Sequence, residues 1–123
     1  MPQSAKKSSS LKLQPRFRIY FRDEVALGPG KVKLLELLQQ TGSIAEAAKQ
    51  LEMSYMRAWT LIKTMNACFK EPLVEAQRGG RAHGGATLTE TGRKALALYQ
   101  RMQTASLEAT KTDWQEIKML LRD

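Results

Sequence analysis

A chain of 123 residues is long enough for one modest core and too short for two. Lysine and arginine number 20 against 12 acidic residues, a formal charge of +8 that points to a polyanionic partner. The single Cys68 and the single His83 exclude an internal disulfide framework and a multi-cysteine zinc site, and no apolar run reaches the ~18 residues of a membrane span. With no signal-peptide core, the expectation is a soluble, cytoplasmic protein.

Residues 1–10 are small, polar and basic, and read as a disordered tail. From Leu11 to Phe21 apolar Leu11, Leu13, Phe17, Ile19 and Phe21 alternate with Lys12, Gln14, Arg16, Arg18 and Arg22 beyond. Period two predicts a strand with one buried face, interrupted at Pro15, which lacks an amide donor. Arg22, Asp23 and Glu24 suit a turn, after which "EVALG" returns as a second short strand. The basic face carrying Arg16, Arg18 and Arg22 is expected to shield an edge strand from aggregation in preference to touching a ligand.

"GPGK" opens a helix with Pro29 in the first turn. Its apolar residues Val32, Leu34, Leu35, Leu37 and Leu38 precede a stop at Gly42. A short helix to about Leu51 then starts at Ser43, with Glu46 three residues on as the second half of a capping box. Ser54 caps a longer helix to about Phe69 whose stripe of Ala58, Leu61, Ile62, Met65 and Phe69 faces inward. Pro72 is expected to end it. A short helix joined by a few residues to a longer one predicts a helix-turn-helix, with Ala47 and Ala48 allowing a close crossing and Ile44, Leu51 and Met53 closing the core beneath.

"LVEAQ" at 73–77 and "ATL" at 86–88 read as strands around the glycine-rich loop "RGGRAHGG". Such a hairpin after a helix-turn-helix is a wing. Its glycines permit close approach, and Arg78 and Arg81 bring charge to phosphate or a narrow minor groove. No G-x-x-x-x-G-K-[ST] loop occurs, and His83 has no thiol or carboxylate cluster beside it for a metal. Thr89 caps a last helix in which Gly92 permits close packing. Its apolar stripe of Ala95, Leu98, Tyr99, Met102, Ala105 and Ala109, continued by Trp114, Ile117, Leu120 and Leu121, is expected to make a dimer. The predicted fold is mainly α with small β, a winged helix-turn-helix with an N-terminal strand or hairpin over 11–93 and a dimerisation helix region over 94–123.

The motifs "TGSIAEAAK", "SYMRAW", "MN", "LVEAQRGGRAHGGATLTETG" and "LY" resemble the N-terminal domain of the ModE-type molybdate-responsive regulators across residues 30–102. "SIAEAAKQLEMS" and "LTETG" are more distantly similar to LysR-type regulators. The resemblance implies a homodimer on a palindromic operator, controlling genes such as those of molybdate transport. It ends before the family's C-terminal oxyanion-binding half, so the chain is expected to be a stand-alone DNA-binding form that does not hold molybdate tightly.

With the core stripe of the Ser54 helix fixed, ~100° per residue places Met56, Thr60, Lys63 and Ala67 on the opposite face, flanked by Arg57 and Thr64. Arg57 suits a bidentate contact with guanine, and Tyr55 and Met56 suit thymine methyls or bases. Thr60 suits a base edge, and Lys63 and Thr64 suit phosphate. Ser43 and Ser54 cap helices whose exposed amides also suit phosphate. Trp59 is expected to pack. The wing set is Arg78, Gly79, Gly80, Arg81, His83, Gly84 and Gly85. Double-stranded DNA is therefore the expected partner. No cofactor, metal or membrane is expected, and neither is enzymatic activity, since no triad, metal cluster or nucleotide loop is present. An adaptor that binds proteins through a winged helix is the alternative.

Overall fold

The computed structural model describes residues 10–76 and 85–123. A short hairpin opens the fold, β1 (Ile19–Phe21) antiparallel to β2 (Glu24–Leu27). The two strands meet through a two-residue turn in which Arg22 takes a positive φ of 57°.

The long N-terminal strand is not formed. Only its last three residues enter a ladder; residues 11–18 have none. Instead the Phe17 carbonyl accepts from the Tyr99 hydroxyl at 2.6 Å and the Pro15 carbonyl from Gln103 Nε2 at 3.3 Å. The neighbour is a helix, which offers side-chain donors at helical spacing and no strand edge. The predicted buried face is also open, for Leu11, Leu13, Ile19 and Phe21 are exposed. Phe17 alone of that set packs on the core, meeting Tyr99 edge to face at 6.3 Å. Nothing among the described residues covers the outer side of β1, so hairpin burial falls on Ala26 and Leu27 of β2.

Helix α1 (Pro29–Thr41) starts on the proline as expected and stops at Gly42, whose φ of 68° lets its N–H return to the Leu38 carbonyl at 2.8 Å. It is the centre of the molecule, packed on β2, on the helices over 44–50, 55–67 and 90–109 and on the strand over 86–88. Its leucines 34, 35 and 38 are at most 1% exposed, each contributing roughly 1.5–3 kcal/mol by leaving water.

Helices α2 (Ile44–Gln50) and α3 (Tyr55–Ala67) follow. They cross where Ala47, Ala48 and Ala58 are all buried, since a methyl group is the largest side chain such a close approach admits. The link between them is a Schellman turn. Met53 N–H donates to the Ala48 carbonyl at 3.0 Å, and Glu52 sits at the left-handed position with φ 58°. Helix α3 stops at Ala67, two residues before the predicted Phe69, because Cys68 N–H tightens onto the Met65 carbonyl. Pro72 therefore follows the end and does not cause it.

Strands β3 (Val74–Ala76) and β4 (Ala86–Leu88) pair antiparallel, Val74 with Leu88 and Ala76 with Ala86. Helices α4 (Glu90–Ala109) and α5 (Lys111–Leu120) complete the chain, separated by a break at Thr110. The Thr110 hydroxyl donates back to the Ser106 carbonyl at 2.6 Å. The apolar stripe expected on α4 is divided between two faces, with Tyr99 and in part Ala95 turned to the core and Leu98 and Met102 turned out. Gly92, Leu96 and Tyr99 are buried, while Leu98 and Met102 are 41% and 42% exposed. The inward face continues into polar Gln103 and Ser106, whose side chains hydrogen-bond there, so hydrophobicity alone does not trace it.

Candidate nucleic-acid interface

Helix α3 is held from below by Ala58, Ile62 and Met65, each at most 1% exposed. That anchoring turns Met56, Thr60, Lys63 and Ala67 outward, and all are exposed. Tyr55 and Arg57 are exposed beside them, and Thr64 is half-buried. Met56, an apolar residue 64% exposed at the head of the helix, has no role in the core. Trp59 is half-buried and packs against the core.

Both serine caps are present. Ser54 Oγ accepts from Arg57 N–H at 3.0 Å, and Ser43 Oγ accepts from Glu46 N–H at 3.0 Å. The capping box is only half formed, however. Ser43 N–H donates to Thr41 Oγ1 at 3.2 Å, and Glu46 accepts from Gln50 instead. Thr41 is closer along the chain to the amide, and the carboxylate is left to the solvent side.

The wing is anchored on both sides. Ala86 N–H donates to the Gly42 carbonyl at 3.1 Å, and Gly85 bridges Ser43. Gly85 is buried, so this member of the proposed wing set serves the hairpin's base through its backbone. Arg78, Gly79, Gly80, Arg81, His83 and Gly84 lie outside the described residues.

Asn66 enters the sequence reading only within the motif "MN", with no role of its own. Its Oδ1 accepts from Leu73 N–H at 2.8 Å and Val74 N–H at 3.2 Å, while its Nδ2 donates to the Val74 carbonyl at 3.0 Å. One side chain thus fastens β3 to α3. The available signal was an asparagine inside a helix, where propensity disfavours it. The same strand entry is pinched from the other side. Thr89 Oγ1 donates to the Pro72 carbonyl at 2.6 Å, and a Cβ on Gly92 would stand 2.1 Å from the Leu73 oxygen.

The β1–β2 hairpin lies on the opposite flank of α3 from this clamp. β2 packs against α3, and a cleft there is lined by Arg16, Arg18, Gly28, Lys31, Arg57 and Leu61 among others. Along α3, Asn66 is nine residues from Arg57, which is about half a circumference at ~100° per residue. The outward face therefore sits between two flanks, one carrying the wing and one the hairpin.

A short helix crossed by a longer one with an exposed, partly basic outer face, followed by a two-stranded hairpin, defines the winged helix-turn-helix class. The chain belongs to the bacterial regulatory helix-turn-helix proteins of the lysR family, whose profile matches residues 30–93. It is 44% identical over 78 residues to the molybdenum transport protein ModE of Azotobacter vinelandii, covering 63% of this chain and 29% of that protein. It is 40% identical over 103 residues to the transcriptional regulator ModE of Yersinia pestis, covering 84% and 36%. With the DNA-binding transcriptional dual regulator ModE of Escherichia coli K12 the identity is 39% over 71 residues, covering 58% and 27%. The ModE-type resemblance is thus supported, and the chain spans about a third of the length of these relatives. In structure it is similar to full-length CbnR solved in complex with its target DNA, at TM-score 0.51 and 23% identity, covering 80% of this chain and 29% of that one. That likeness speaks for the fold.

Proposed function

We propose that this chain is a sequence-specific regulator of transcription that binds double-stranded DNA as a homodimer in the cytoplasm, in control of molybdate transport or metabolism genes. The carrying observation is the outer face of α3, where Tyr55, Met56, Arg57, Thr60 and Lys63 are exposed on a helix whose other side is locked into the core. In the major groove the N-terminal part of this face meets base edges. Arg57 reads a guanine, Met56 and Tyr55 meet methyls or bases, and Lys63 and Thr64 meet backbone. The amides at Ser43 and Ser54 add phosphate contacts, and Arg78 and Arg81 extend the grip from the wing. Catalysis has no part in this reading. The molybdenum link comes from the relatives.

The dimer reading is supported by the apolar residues turned away from the core at the C-terminal end. Leu98, Met102 and Leu107 on α4 and Ile117 and Leu120 on α5 are all exposed. Tight molybdate binding is not assigned to these residues, and calorimetry with molybdate against sulfate checks that; a micromolar site selective for molybdate would overturn it.

Selection from a random DNA pool tests the main reading. The expected product is a family of duplexes with two symmetric half-sites. Substituting Arg57→Ala should cost about 1–3 kcal/mol on the selected duplex and relax selection at one symmetric pair of positions. Arg78→Ala with Arg81→Ala should weaken selected and random duplexes alike. No enrichment over the starting pool would refute sequence-specific binding.

A further inference from the structure

The cleft between the N-terminal segment, the start of α1 and the recognition helix measures about 280 Å³. Four cationic residues line it, Arg16 and Arg18 from the extended segment, Lys31 from α1 and Arg57 from α3, and no carboxylate does. Gly28 and Gly30 leave part of its floor as bare backbone, with open space where a Gly30 side chain would stand. Lys31 Nζ donates to the Val25 carbonyl, which ties its ammonium to the hairpin. Among the described residues Arg16, Arg18, Lys31 and Arg57 form no ion pair, the recorded one being Lys33 with Glu36 at 4.0 Å. Like charges gathered from three chain segments repel, so the arrangement stores a positive potential that an anion relieves.

We infer that this cleft grips a phosphate of the DNA backbone through Arg16 and Arg18, making the extended segment that leads into the N-terminal hairpin a second wing on the flank of α3 opposite the first. The inference rests on the DNA-binding reading above and deepens it. An α-helix with side chains is about 10–12 Å across and the major groove about 12 Å wide, so a helix lying in the groove has a backbone strand within side-chain reach on each flank. Asn66 holds the wing on one flank. Arg57 lies on the other, shared between the outward face and the cleft, so a duplex seated on α3 brings its second strand to Arg16 and Arg18. The sequence pattern favoured edge protection for these arginines; their place beside Arg57 assigns them to the partner.

A duplex selected by the wild-type chain serves as probe. Phosphate-ethylation interference with the wild-type chain should show sensitive phosphates on both flanks of each half-site. Sensitivity on the wing flank alone would overturn the inference without needing any variant. In the Arg16→Gln/Arg18→Gln variant, shown folded by circular dichroism, the slope of log affinity against log salt should fall by about two per protomer. Preference for the selected over a random duplex should hold, and Arg16→Lys/Arg18→Lys should restore the slope. An unchanged slope in the Gln variant sinks the second wing and leaves DNA binding standing. A wild-type chain that binds no duplex sinks both. Saturable binding of inorganic phosphate, abolished by the Gln variant while its DNA slope is unchanged, would make the cleft a small-anion site and overturn the assignment.

Discussion

Asn66 is a helix residue whose side chain satisfies backbone beyond the helix. Replacing it with alanine leaves the Leu73 and Val74 amides without the acceptor they share, and the expected loss is about 2–4 kcal/mol in urea unfolding. Asn66→Asp keeps an acceptor for the two amides but turns a carboxylate oxygen onto the Val74 carbonyl where Nδ2 now donates, so it should also destabilise, and less at acid pH, where the protonated carboxyl can donate again. Tyr99 is the other residue with a checkable signature. Burial raises its phenol above the ordinary value of 10.0, against an opposing pull from Arg18 and Arg16. A folded value above the unfolded one means the neutral phenol is favoured in the fold. Its contribution is present below about pH 10 and is lost as pH rises through the folded value. Unfolding measured from pH 9 upward should therefore decline more steeply for the wild-type chain than for Tyr99→Phe.

Among the elements, the caps were legible because capping is local chemistry. Ser43, Ser54, Thr89 and Gly42 all sit where their side chains or torsions require, and Ser43→Ala and Ser54→Ala should each cost about 1 kcal/mol by denaturant midpoint. Glu52 was not legible, since its left-handed torsion is imposed by packing α2 across α3 and no residue type announces it. Glu52→Gly should accordingly raise the midpoint, by about 0.5–1 kcal/mol. Alternation between Leu11 and Phe21 reported that the segment has two faces and was silent on whether a strand would pair with it. On α4 the pattern found an apolar stripe and missed Leu96, because the buried stripe carries a glycine, a glutamine and a serine. The outward face of α3 was legible from its core phase alone. The closeness of Arg16 and Arg18 to Arg57 was not, because it depends on how residues 11–18 lie across the finished fold.

For the whole molecule, Leu98→Glu with Met102→Glu tests the proposed dimer without touching the core, since both side chains are exposed. Sedimentation should show a monomer of unchanged helicity, and a dimer that survives would move the interface elsewhere. The clamp on β3 and the bridge at Gly85 have a consequence for how such a domain can diverge. The span between Ala76 and Gly85 starts and ends at points that the rest of the protein already holds together. Doubling that span should cost only about 0.6 kcal/mol in closure entropy, whereas one residue added to the Schellman turn at Glu52 would shift α3 against α2. Variation can therefore accumulate in the hairpin nearly free of folding cost, and the same tolerance makes it the place to graft a new binding preference onto an otherwise unaltered scaffold.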